Sequence, residues 1–198
     1  MLESLACGDD HSTEKGFLMP VARLAARVAI GGLFIGHGTQ KLMGWFGGPG
    51  LEGTDQMMTS LGLHPPRRNS LAAGATEAGA GAMLAAGLAT PLAAAGLIGV
   101  MTTAIRTVHW SNGPWNANGG YEYNLALITA LAALVEVGPG ELSLDRALGT
   151  DRHGTDWALG ALALGVAASL ATTALGHREA GRAAAHQPGP APTDQHTP

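Results

Sequence analysis

The chain reads as an all-α protein, a polytopic membrane helix bundle with five crossings. Between Arg68 and Arg106 the only formal charge is Glu77, and the rest of that stretch is mainly Gly, Ala, Leu, Met and Thr. That is room for two membrane crossings joined by almost nothing. Of the 198 residues, 46% are hydrophobic, 13% are charged and 30 are Gly. Small residues let membrane helices approach closely, so this composition fits a packed bundle. A further run, Trp157 to Leu175, carries no charge.

Residues 1–19 read as a polar N-terminal tail. Helix 1 is predicted from Pro20 to Leu42, with Pro in its first turn, where the missing N–H costs little. Residues 43–69 form a Gly- and Pro-rich loop in which Thr54 to Leu61 make a short helix capped by Thr54. Helix 2 is predicted from Ser70 to Ala89. Thr90-Pro91 turns the chain into helix 3, which reaches Val108. Asn112-Gly113-Pro114 and Gly119-Gly120 break the next loop. Helix 4, Tyr121 to Val137, is short and ends at Gly138-Pro139-Gly140. Residues 149–176 supply a linker and the fifth crossing. Residues 177–198, rich in Pro, Ala, His and Gln, read as a disordered tail.

Counting crossings puts loops 43–69 and 109–121 on one side, the loop side. Trp45, Phe46, Trp110, Trp115, Tyr121 and Tyr123 gather there, and Trp157 lies opposite. Such aromatics make either an interfacial belt or a structured cap over the bundle. Lys and Arg divide five to six between the sides, so charge does not set the orientation. A net charge of −4 without a basic cluster argues against nucleic-acid binding. The single cysteine, Cys7, excludes an internal disulfide and a thiolate metal site. No histidine spacing suggests a metal, and no glycine motif lies between a strand and a helix to suggest a nucleotide.

A carboxylate inside a bilayer costs about 2.5–3.5 kcal/mol on insertion scales, so Glu77 is expected to face the bundle interior. Gly74, Gly81, Leu84 and Leu88 share its face. On helix 1, Arg27, Gly31, Phe34, Gly38 and Lys41 share another. His37, Lys41, Glu77, His109 and Glu122 all fall in the loop-side half and form, with Arg27, the candidate polar site. Each has a plainer alternative. Glu77 pairs with Arg27 or Lys41, Arg27 and Lys41 anchor at the interfaces, and His37, His109 and Glu122 are ordinary helix-end or loop residues.

Five segments together resemble the DoxX family of membrane proteins. They are ARVAIGGLFIGHGTQKL (26–42), GGPGLEGTDQMMTSLGL (47–63), EAGAGAMLAAGLATPLAA (77–94), VHWSNGPWNANGGYEYNLAL (108–127) and GPGELSLD (138–145). The resemblance implies a four-helix bundle over residues 20–148, to which the fifth helix is an addition, in the plasma membrane of a prokaryote. It also implies a membrane partner in redox complexes: a soluble oxidoreductase, a superoxide dismutase or a sulfurtransferase, besides the bilayer itself. Arg27, Lys41, Glu77, His109 and Glu122 match family-type positions, and no role comes with the match.

Three functions compete. A redox subunit contacting quinone needs an apolar cleft, a donor such as His37 or His109, and a titratable group such as Glu77 or Glu122. A non-enzymatic protein uses the same polar pocket for a small molecule, a lipid or a cargo. A scaffold uses Glu77 only to lock helix packing.

Overall fold

The computed structural model describes residues 11–185, with side chains from residue 20 onward. Its helices are α1 (His11–Met43), α2 (Gly50–Ser60), α3 (Pro66–Ala86), α4 (Thr90–Ala104), α5 (Glu122–Val137), α6 (Leu144–Leu148) and α7 (Thr155–Ala185). There is no strand among the described residues. The five long helices fall where the sequence places them, and α2 is the short helix of the first loop, but it starts at Gly50 and so holds Thr54 inside it, bonded to the Gly50 carbonyl, rather than as its cap.

The ends differ from expectation. Helix α1 begins at His11, so Pro20 lies inside it rather than in its first turn. Helix α7 runs to Ala185, so the first residues of the expected C-terminal tail are helical. Ala and the other strong helix formers of His177–Ala185 account for that extension. Residues 1–10 and 186–198, with Cys7, lie outside the described residues. Helix α3 starts on Pro66 and stops at Gly87, whose φ of 66° is the left-handed geometry of a helix C-terminus. Beyond Ala104, α4 continues through a π turn, Ile105–His109, and a short 3-10 turn, Trp110–Asn112.

Glycine decides how closely α1 and α3 meet. The predicted face of α1 is the packed one: Arg27, Gly31, Phe34 and Gly38 are buried and Lys41 is half-buried. A Cβ on Gly31 would collide with the Gly81 carbonyl, and one on Gly38 would lie 2.5 Å from the Ala78 nitrogen and 2.6 Å from the Gly74 oxygen. Helices α1 and α3 therefore meet backbone to backbone, as small-residue membrane interfaces do. Helix α4 is central and packs on α3, α5 and α7. Around it Phe34, Leu84, Leu97, Ile98, Leu131 and Val135 form the core. Gly99 and Gly165 bring α7 onto α4, since a Cβ on Gly165 would sit 2.8 Å from the Ala95 carbonyl.

The outside of the bundle is apolar. Val21, Val28 and Leu33 on α1, Leu125 on α5, and Leu159, Leu164, Leu170 and Leu175 on α7 are exposed. Among the described residues two helical stretches, Thr90–Asn112 and Thr155–Ala185, are long and apolar enough to cross a membrane. Only 28% of the apolar window of α7 is buried in the protein. A helix that apolar and that uncovered needs lipid around it.

Candidate functional site

Of the six expected site residues, the structure joins two. Lys41 Nζ donates to Glu77 Oε2 at 2.6 Å. Glu77 is 2% exposed and Lys41 21%. Gly74 and Gly81 flank the carboxylate by one turn, and both are buried with it. Helix α2 closes this end of the bundle. Its Thr54 hydroxyl is fully buried and lies within hydrogen-bonding distance of the Lys41 and Gly50 carbonyls. Of the alternatives for Glu77, geometry selects the ion pair with Lys41.

The other four lie elsewhere. His37 is exposed and its Nδ1 pairs with Gln40 Oε1 at 3.1 Å. His109 Nδ1 meets the Gly119 carbonyl at 2.7 Å, and Glu122 Oε1 accepts the Asn116 N–H at 2.7 Å. Both therefore brace the 109–122 loop. With Tyr121 N–H to Gly113 O and Glu122 N–H to Pro114 O, they fold it into a knuckle. Trp110 stacks on Tyr121 at 5.5 Å. The expected convergence of five polar groups thus reduces to one ion pair, because backbone groups of the loop take His109 and Glu122 and the Gln40 side chain takes His37.

Arg27 lies at the opposite end of the same face of α1, 1% exposed. It donates through Nη2 to the Leu142 carbonyl, and its Nη1 lies against Gly87, where any Cβ would clash. Near it is a residue that the sequence reading missed as a site, Asp145. This carboxylate, 1% exposed, accepts the Ala89 and Thr90 N–H groups at 2.8 and 2.9 Å, and the Thr90 and Thr150 hydroxyls at 2.8 and 3.1 Å. It thereby caps the start of α4 from the α5–α7 connection. Burial pushes the Asp145 carboxyl up, but the Thr90 N–H and hydroxyl, the Ala89 N–H and the Thr150 hydroxyl outweigh it, holding it below the usual carboxylate range. The available signal was Thr90-Pro91, a helix start in need of an acceptor, together with the Asp that ends GPGELSLD.

On the outer face of α1 a shallow, open groove of about 430 Å³ runs past Gly32, Leu33, Gly36, His37 and Gln40 to Phe46. Added side chains on Gly32 and Gly36 would meet nothing within 4 Å. No group of three or more His, Cys, Asp or Glu suited to a metal ion exists among the described residues.

A bundle with a lipid-facing apolar exterior, a buried ion pair at one end, and at the other a buried Arg27 on the Leu142 carbonyl beside the Asp145 cap of α4 defines an integral membrane protein built by close α1–α3 packing. The DoxX family model matches residues 22–110. Inner membrane protein YphA of Escherichia coli (strain K12) is 32% identical over 136 residues, covering 66% of this chain and 93% of that relative. The chain belongs to the DoxX family and is a membrane protein of the prokaryotic inner-membrane type. No solved structure matches it. Helix α7 lies beyond the residues that the family model matches.

Proposed function

We propose that this chain is a membrane subunit that docks a soluble redox enzyme on its loop side and contacts quinone. The observation that carries the reading is the aromatic cap. Trp45, Phe46, Trp110 and Trp115 are 55%, 77%, 67% and 65% exposed, and the last two stand on the hydrogen-bonded knuckle. Large aromatic side chains held on a rigid loop are the usual anchors of a protein interface. The groove along α1 is where a quinone would lie, its chain over Gly32 and Gly36 and its head near His37. Glu77, paired with Lys41, holds α1 to α3 in this reading.

Purification from native membranes tests it. A soluble oxidoreductase, a superoxide dismutase or a sulfurtransferase copurifies, quinone is retained on extraction, and the double substitution Trp110→Ala, Trp115→Ala releases the partner. A second reading, a non-enzymatic binder of lipid or a small solute, rests on the same groove. It is favoured by colourless, partner-free protein that a lipid or solute stabilises against heat.

A further inference from the structure

We propose that Arg106 is the seat of an anionic phospholipid headgroup in the loop-side leaflet, built where α7 joins α4. Arg106 lies in the π turn that follows α4. Its Nη1 donates to the Thr173 hydroxyl at 2.9 Å and lies 3.5 Å from both the carbonyl and the hydroxyl of Ser169. Ser169 is itself fixed, because it accepts the Thr103 hydroxyl at 2.9 Å. Thr173 is anchored to the Ser169 carbonyl. Ser169 and Thr173 are 1% and 4% exposed. One edge of the guanidinium is thus clamped to α7 by buried hydroxyls.

The rest of the guanidinium is uncommitted. Its Nε and Nη2 groups make no hydrogen bond among the described residues, and the residue is exposed. Lys41, Arg67, Arg68 and Arg146 each have a carboxylate within 4 Å, whereas Arg106 has none among the described residues. Arg106 stands near the loop-side end of Thr90–Asn112, a helical stretch long and apolar enough to cross the membrane. A fixed guanidinium just below the headgroups, with N–H groups free in a planar fork, matches a phosphate, which Arg binds in bidentate fashion. Basic positions between membrane helices are where such headgroups bind. A freely snorkelling Arg needs no hydroxyl clamp. The partner is therefore the phosphate of a bilayer lipid of net negative charge, because the choline cation of a zwitterionic lipid offsets the attraction of its phosphate for the guanidinium. The site does not depend on the redox reading.

Native mass spectrometry of the detergent-purified protein, titrated with phosphatidylglycerol or with phosphatidylcholine, is the test. The expected result is one phosphatidylglycerol retained in preference to phosphatidylcholine. Arg106→Gln should weaken that preference about fivefold. Arg106→Lys keeps the charge but loses the fork, and Thr173→Val keeps the guanidinium but loses the clamp; both should fall between. Arg68→Gln, at an ion pair outside the site, should bind as wild type does. Equal retention of the two lipids by the wild-type protein overturns the proposal. So does unchanged retention in both Arg106→Gln and Thr173→Val. If inorganic phosphate raises the melting temperature through Arg106 and phosphatidylglycerol is not retained, the site takes a free oxyanion, and the lipid assignment is wrong. If Arg106→Gln alone misfolds, Thr173→Val decides.

Discussion

Replacing Glu77 by Gln separates a structural ion pair from a working carboxylate. The carboxylate is 2% exposed and its partner ammonium is 2.6 Å away and 21% exposed. In Glu77→Gln the ammonium keeps a polar neighbour but loses its counter-charge at the edge of the apolar bundle. Removing one partner of a buried pair costs about 3–5 kcal/mol, and the partial exposure of Lys41 points to the lower end, about 3 kcal/mol. That is roughly a hundredfold in the folded-to-unfolded ratio. Replacing both, Lys41→Met with Glu77→Leu, removes the stranded charge and fills similar volume. Such a swap should return stability to within about 1 kcal/mol of wild type. Unfolding of the purified protein in mixed micelles with increasing SDS measures all three. A Glu77→Gln protein as stable as wild type would refute the reasoning. So would a double variant less stable than the single one. A double variant that folds as wild type but loses quinone-linked electron transfer would give Glu77 a chemical role after all.

Further outcomes follow from the packing and from the opposite end of the bundle. Gly38→Val places atoms against the backbone of Ala78 and Gly74 and should destabilise the α1–α3 contact by about 3 kcal/mol or more. Gly36→Ala, which meets nothing within 4 Å, should be neutral or stabilising by up to about 1 kcal/mol in the same SDS titration. Asp145 has a folded-state pKa below its unfolded value. Its contribution is therefore fully present above the ordinary carboxylate value of about 4 and is lost as pH falls through the lower folded value. Thermal melts from pH 6 to pH 3 should show acid destabilisation that Asp145→Asn flattens. Equal slopes for the two proteins would remove Asp145 from the account.

The fold was largely legible because charge is so sparse. With Glu77 the only charge between Arg68 and Arg106, the helices α3 and α4 stood out, and helical spacing gave most of the packed faces. Arg27, Gly31, Phe34 and Gly38 on α1 and Gly74, Glu77, Gly81 and Leu84 on α3 are buried, whereas Leu88 lies past the end of α3 and is half-buried. The partner of Glu77 was legible as a choice between two cations on one face, and the level along the helix favours Lys41 over Arg27. His109 and Glu122 were misplaced because helix counting gives the level of a residue and not its direction. Both turn into the 109–122 loop, where nearby backbone groups capture them. Asp145 was missed because its partners, Ala89 and Thr90, are more than fifty positions away. No local pattern marks such a contact. The clamp on Arg106 was hidden for the same reason, since Thr173 lies on a helix added after the core.

The docking role of the aromatic cap is tested most directly by a photoreactive amino acid placed at Trp115 and, separately, at Trp157, in cells. Trp115 is 65% exposed on the loop side and Trp157 is 42% exposed on the opposite side. The account predicts that position 115 crosslinks to a soluble oxidoreductase, superoxide dismutase or sulfurtransferase and that position 157 does not. Lipid adducts alone, in equal yield at both positions, would contradict it and leave the aromatics as an interfacial belt.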